Sequence, residues 1–213
     1  MADWATISSL ATAGGTLVLA VATFASVRSA NRAARVAERA YLVGLRPVLF
    51  PSHLDDSMQK IRWGDDHWAA LQGGRGVMEV ADDVVYMAIS LRNVASGIAV
   101  IHGWRASPLA SSITPLVRPE PDTFTLQGRD LYVPPNEPSF WQAAYRDQDP
   151  DGKRAAVAAI EARTPMMVDL LYGDHEGGQR AISRFTLTPP SSGDGQWLAS
   201  VVRHWNLDRD DPR

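Results

Sequence analysis

Hydrophobic positions fall along this chain in three regimes. Trp4 to Val27 runs 24 residues without a charged side chain, and arginines follow at once. At 1.5 Å per residue a helix of that length covers about 36 Å, enough to cross a hydrocarbon core of about 30 Å. The stretch predicts a transmembrane helix. Ser8, Ser9, Thr12, Thr16, Thr23 and Ser26 are scattered round it, so it lacks the single polar face of a soluble amphipathic helix. From Arg28 onward no Pro or Gly interrupts until Gly44, and Ala, Arg and Glu are good helix formers. The helix is therefore expected to continue beyond the membrane and to stop near Gly44, before Arg46-Pro47 forces extended backbone. Past residue 47 the period becomes two. Val85, Met87, Ile89 and Leu91 alternate with Tyr86, Ala88, Ser90 and Arg92, which predicts a strand with one buried and one exposed face.

Asn93-Val-Ala-Ser-Gly97 then turns, and Ile98–Trp104 reads as the returning strand. Further strands are expected at Pro47–Phe50, Lys60–Trp63, Gly76–Val80, Thr123–Leu126, Asp130–Val133, Ser139–Tyr145, Met166–Tyr172, Arg180–Thr188 and Trp197–Trp205. Asp151–Arg163 is the one clear helix of this region. Many short strands and 14 prolines at intervals argue for an antiparallel sandwich. The expected fold is mainly β. Residues 1–45 form a transmembrane helix continuing into a juxtamembrane helix, residues 46–206 one β-sandwich domain with one short helix, and residues 207–213 a polar tail that frays.

Charge sets orientation. No Lys or Arg precedes the apolar span, whereas Arg28, Arg32, Arg35, Arg39 and Arg46 follow it, opposed only by Glu38. The positive-inside rule puts the N-terminus outside and the domain in the cytoplasm of a single-pass plasma-membrane protein. Asp3 and the missing N-terminal Lys or Arg argue against a cleavable signal peptide. The absence of cysteine agrees with a reducing compartment. Arg28 and Arg32 sit near enough to the surface to contact anionic headgroups, and Arg35 and Arg39 extend the same stripe. Ala11 and Gly15, then Ala22 and Ser26, followed by Ala30 and Ala34, recur at fourfold spacing, which permits close helix–helix approach and a homo-oligomer through the membrane helix. The remainder of the chain carries 16 basic and 22 acidic side chains, so it has no electrostatic footprint for nucleic acid.

At Leu91-Arg-Asn-Val-Ala-Ser-Gly-Ile-Ala99 the sequence resembles a recurrent pattern: a strand ending Leu-x-Asn-Val, a small-residue turn, Gly, and Ala opening the next strand. Arg46-Pro47-Val48-Leu49, Leu131-Tyr-Val-Pro-Pro135 and Leu171-Tyr172-x-Asp174-x-x-Gly177 leading to Phe185-Thr-Leu187 are similar in the same way. Together they resemble uncharacterised bacterial single-pass membrane proteins with an N-terminal transmembrane helix and an immunoglobulin-like β-sandwich. At Ala95 the chain departs from that pattern, where such proteins often have Gly. The resemblance implies a fold and a membrane location, and no activity.

Candidate chemistry is sparse. Gly73-Gly74-Arg75-Gly76 lacks the spacing and the Lys-Ser/Thr of a phosphate loop and reads as a turn. There is no Gly-x-Ser-x-Gly elbow and no thiol. The five histidines, His53, His67, His102, His175 and His204, are dispersed. Asp174-His175-Glu176, with Asp169, offers carboxylate and imidazole ligands for a divalent ion, yet its composition is that of a hairpin loop. Asp65-Asp66-His67, Asp55-Asp56 and Asp82-Asp83 read as solvated turns. Of the seven tryptophans, Trp4 suits a membrane interface, and the other six suit core and rim packing. No catalytic, cofactor or metal residue is assigned. The expected role is a non-enzymatic protein-interaction or assembly domain held at the membrane. Two alternatives stand beside it: a hydrolase or ligand-binding site near Asp169, Asp174 and His175, and an extracytoplasmic binding module if the topology is inverted.

Overall fold

The computed structural model of the protein describes residues 3–109, 117–191 and 195–209. The chain divides into two units, Met1–Gly44 and Leu45–Arg213. The first is α1, a continuous helix over Trp4–Leu45. Among the described residues it is the helix long and apolar enough to cross a membrane. Leu10, Leu17, Leu19 and Phe24 each expose about two thirds of their surface. Three of its threonines bond back onto the helix: the hydroxyls of Thr12, Thr16 and Thr23 donate to the carbonyls of Ser8, Thr12 and Leu19 at 2.9, 2.9 and 2.7 Å. Bonding back to the preceding turn removes much of the cost of placing them in hydrocarbon.

The second unit is an antiparallel sandwich. Among the described residues nine strands form one continuous sheet that folds into two layers. One layer contains β1 (Leu49–Pro51), β4 (Arg75–Ala81), β5 (Val84–Asn93) and β8 (Pro138–Tyr145), with the separate two-stranded sheet of β2 (Gln59–Arg62) and β3 (Trp68–Leu71) beside it. The other runs β11 (Trp197–Asn206), β10 (Arg180–Thr188), β9 (Met166–Asp174), β6 (Ala99–Pro108), β7 (Thr125–Val133). Along β5, β8 pairs one edge while β4 and then β1 share the other. The layers join where Gly76 and Arg75 of β4 pair with Trp197 and Leu198 of β11. A Cβ at Gly76 would meet Leu187 at 2.5 Å and the Ala88 carbonyl at 2.9 Å, so the junction requires glycine. Gly76 therefore belongs to a strand, not to a free turn.

The core fills the space between the sheets. Val85, Met87, Ile89 and Leu91 of β5 meet Val168, Leu170 and Tyr172 of β9, Phe185 of β10 and Trp197 of β11. Helix α2 (Pro150–Glu161) contributes Ala156 and Ala159 to the same cluster. It begins at Asp149, whose carboxylate accepts from the Gly152 N–H at 2.9 Å, with Pro150 at the first helical position.

Three expectations are corrected. Tyr86, Ala88 and Ser90 were expected to face solvent, but they are buried, because Ile61, Trp63 and Leu71 of the β2–β3 hairpin cover that face. The two short strands expected at Thr123–Leu126 and Asp130–Val133 are one strand, β7. The tail does not fray from its first residue: Leu207 packs against the cluster of Phe124, Leu171, Ile182 and Trp205, and Asp208 bonds Arg46. Residues 210–213 lie outside the described residues.

Strand phase is reset twice by bulges. On β6 the register shifts between Ile101 and Gly103, so Ala99, Ile101 and Trp104 all reach the core. The pairing of β10 with β11 shifts between Arg184 and Phe185, skipping Val202, which lets Ala199 and His204 share one face and leaves Trp205 on the other. The β4–β5 hairpin closes through Asp82 and Asp83, both at positive φ (48° and 62°), as a two-residue turn demands.

The turn after β5 is organised by Asn93, which is fully buried. Its side-chain oxygen accepts from the N–H groups of Val48 (3.1 Å) and Ala95 (3.2 Å), and its amide donates to the carbonyls of Gly97 and Val133. One side chain thus ties the residue before β1, the turn and the end of β7. A Cβ at Gly97 would lie 1.8 Å from the Leu45 carbonyl oxygen, so no larger residue fits there. Ala95 has no positive φ, which explains why the turn tolerates Ala. Asn93→Ala strands two half-buried donors and two buried acceptors. It is expected to lower unfolding stability by about 3 kcal/mol or more, measured by denaturant unfolding, and Asn93→Asp should recover only the part owed to Val48 and Ala95.

Candidate functional site

The structure does not bring Asp169, Asp174 and His175 together. Asp169 lies opposite Arg184 in the β9–β10 register, where its carboxylate accepts from Nε at 2.6 Å and Nη2 at 2.8 Å. Both side chains are buried, and the guanidinium stacks 5.0 Å from the Trp205 ring centroid. Asp174 is five residues further along β9, hence on the opposite face. Its carboxylate accepts from the Gln179 N–H at 2.9 Å and closes the hairpin turn. His175 and Glu176 are exposed in that turn. Among the described residues no group of three or more His, Asp or Glu side chains could hold a metal ion.

Asp65-Asp66-His67 is more than a solvated turn. The imidazole of His67 stacks on Tyr86 with centroids 3.8 Å apart and planes 10° from parallel, and its Nε2 meets Glu79 Oε1 at 2.7 Å. Tyr86 donates to Asp65 Oδ2 at 2.7 Å, and Arg146 bonds the same oxygen at 2.7 Å. Desolvation would raise the Asp65 carboxyl, but the bonds from Arg146 and Tyr86 overcome it and hold it down at about 2. Desolvation and the bond to Asp65 push the Tyr86 hydroxyl up to about 12. These groups satisfy one another and rivet the β2–β3 hairpin to β4, β5 and β8. Asp56 is held the same way: desolvation is outweighed by the His53 N–H and by Arg92, 2.6 Å away.

A second polar group spans the two sheets beside the point where the chain enters the domain. The Leu49 N–H donates to the Tyr172 hydroxyl at 3.4 Å. That hydroxyl lies 2.7 Å from Ser183 Oγ, which lies 2.6 Å from His204 Nδ1. Phe50 packs against the imidazole at 5.1 Å between centroids. Next to them Arg46 bonds Asn206 at 3.0 Å and Asp208 at 2.9 and 2.5 Å. The bond to Arg46 holds the Asp208 carboxyl below its usual range, while burial pushes the Tyr172 hydroxyl up and the His204 imidazole down. Ser183 is fully buried, so its hydroxyl is not an accessible nucleophile. Sequence reading missed this chain. Its members come from four strands, and only the β10–β11 register, with its bulge, puts Ser183 opposite His204.

The tryptophans divide as their burial dictates. Trp63, Trp104, Trp141, Trp197 and Trp205 are core residues; Trp63 donates to the Ala143 carbonyl at 3.0 Å, and Trp104 packs against Trp141 and Tyr145. Trp68 is 58% exposed on β3, with Arg62 over its ring at 5.6 Å. On α1, Phe24, Val27, Arg28, Asn31, Arg32 and Arg35 line one groove. Ala11, Gly15, Ala22 and Ser26 are exposed on the same helix.

No family model matches the sequence, and no curated protein sequence matches it. Among solved structures, the chain is similar to a β-glucosidase from Kluyveromyces marxianus at 15% identity, over 62% of this chain and 13% of that one, with a TM-score of 0.22. The same enzyme in complex with glucose gives 14% identity over 62% and 13%, with a TM-score of 0.23. The chain thus spans about an eighth of that enzyme's length, and a likeness this low carries no functional argument.

Asp169 and Arg184 make the contrast between a site and a structural pair testable. Asp169→Ala leaves a buried guanidinium without its carboxylate and is expected to lower stability by about 3–5 kcal/mol. The double change Asp169→Leu with Arg184→Met should cost less than the single one. Chemical denaturation of the three proteins reads both effects.

Proposed function

We propose that this is a non-enzymatic, single-pass membrane protein whose β-sandwich is held at the cytoplasmic face of the plasma membrane, where it binds another protein or supports assembly. The observation that carries this reading is α1: a long exposed apolar helix followed at once by an arginine stripe. Arg28 and Arg32 are the proposed headgroup contacts, since they sit beside Phe24 and Val27 in one groove. The domain's surplus of acidic groups supports a protein partner over nucleic acid. A sandwich behind a membrane-type helix also supports kinship with the bacterial single-pass proteins whose domain is immunoglobulin-like, which forms part of the proposal. The alternative hydrolase loses its site, because Asp169 and Asp174 face opposite ways.

Orientation is tested by topology. A reporter active only in the cytoplasm, fused after Arg213, should work, and external protease should leave residues 47–213 intact. Neutralising Arg28, Arg32, Arg35 and Arg39 together should weaken that preference. Digestion of the domain in intact cells would invert the localisation and make an extracytoplasmic binding module, with Trp68 exposed, the leading reading.

Self-association is tested at Gly15, where an added Cβ meets nothing within 4 Å and so leaves the single helix unperturbed. Gly15→Ile should lower dimer yield in membrane cross-linking by about tenfold if the Ala11–Gly15–Ala22–Ser26 face is the contact. Unchanged cross-linking would remove that face from the proposal.

A further inference from the structure

The Leu49–Tyr172–Ser183–His204 chain has a direction fixed by its first member. A backbone N–H can only donate, so the Tyr172 oxygen accepts from Leu49. Tyr172 is fully enclosed, and the acceptor on hand for its own proton is Ser183 Oγ at 2.7 Å. Ser183 then sends its proton to His204 Nδ1 at 2.6 Å. In that order the neutral imidazole receives at Nδ1 and carries its hydrogen at Nε2, a buried atom with no partner among the described residues.

Protonation breaks this order. An imidazolium donates from both nitrogens, so Nδ1–H would turn the Ser183 hydroxyl round toward Tyr172. The tyrosine proton would then have no acceptor, in addition to the unpartnered Nε2–H. One more buried proton would be stranded than in the neutral state, and a positive charge would be enclosed where burial disfavours it. The neighbouring elements do not relieve it. The segment before β1 brings Arg46, whose charge is matched by Asp208 beyond β11. β1 brings Phe50, β9 brings Tyr172, β10 brings Ser183, and β11 itself adds Asn206.

We propose that the Tyr172–Ser183–His204 chain is a protonation-sensitive latch that fastens β1, and with it the point where the chain enters the domain, to the opposite sheet. β1 pairs over only three residues, Leu49–Pro51 with β5, so its other attachments weigh heavily. The latch is closed while His204 is neutral. Burial holds the imidazole below its ordinary value near 6.5, so the folded state binds fewer protons than the unfolded chain once the pH falls under that value. The stabilisation is complete above pH 6.5 and is lost as the pH falls from there toward the lowered folded value.

The test is denaturant unfolding of the full-length protein in detergent micelles between pH 8 and pH 5, beside His204→Asn. Asparagine offers Ser183 an acceptor near the Nδ1 position and does not titrate. The wild-type folding constant should fall below pH 6.5 by up to tenfold per pH unit more than that of the variant, the limit for one linked proton. The protection factor of the Leu49 amide, its rate taken relative to the intrinsic rate at each pH, should fall on acidification in the wild type and not in His204→Asn. Parallel pH profiles for the two proteins overturn the latch. If the variant does not fold, nitrogen NMR of His204 in the wild type decides alone. A neutral ring protonated at Nε2 and titrating below 6.5 supports the latch, and one protonated at Nδ1, or titrating at or above 6.5, overturns it.

Discussion

Strands β5 and β9, with the middle of β10 beside them, are buried on both faces, and that requirement organises the domain around them. A two-layer sandwich buries only one face of each sheet, so each of these strands needs a further cover. For β5 the cover is the β2–β3 hairpin, which lays Ile61, Trp63 and Leu71 on Val77, Tyr86 and Ala88. For β9 it is Phe124, Trp205 and Leu207, packed on Leu171 and Ile182. The polar residues on these outer faces must then find partners without water. Asp169 takes Arg184, Ser90 takes Ser52 at 2.6 Å, and Gln142 donates to the Arg62 carbonyl at 3.1 Å.

This extra layering marks where the sequence was legible and where it was not. The helix of residues 4–45 could be read because its signal is local: an uncharged run, then good helix formers, then Gly44 and Pro47. The strands could be located because period-two alternation is also local. The exposed face assigned to β5 was wrong because burial of Tyr86 depends on a hairpin some twenty residues away in sequence. β3 went unread since Trp68-Ala-Ala-Leu is short and lacks β-branched residues. β7 was split because Gln127, Gly128 and Arg129 look like a turn. Among the described residues it is an edge strand paired to β6, where exposed polar residues and glycine cost little.

The candidate site illustrates the same limit at the level of single residues. Asp169, Asp174 and His175 are close in sequence, but strand alternation separates the two aspartates onto opposite faces. Tyr172, Ser183 and His204 are dispersed in sequence and meet in space. Their convergence depends on the skip at Val202, and no composition or spacing rule announces a bulge. Asn93 lies between these cases. Its motif was visible as a resemblance, while its work of satisfying four backbone groups became visible only with the turn.

These polar groups share a location and a task. Asn93 gathers Val48, the β5–β6 turn and β7. Arg46 is clamped by Asn206 and Asp208, and Leu49 is bonded to Tyr172. All three act on residues 46–49, the first stretch of the domain after the helix. That stretch joins the domain to α1, and β1 has only three ladder pairs to resist fraying. Burying donors and acceptors there, each with one acceptable partner, makes opening costly in a way that apolar packing alone would not, because every broken bond exposes an unsatisfied group to a dry interior. The chemistry inside this sandwich is thus spent on holding the domain to its leading segment. Outside it, the arginine stripe and the small residues of α1 and the ring of Trp68 are exposed.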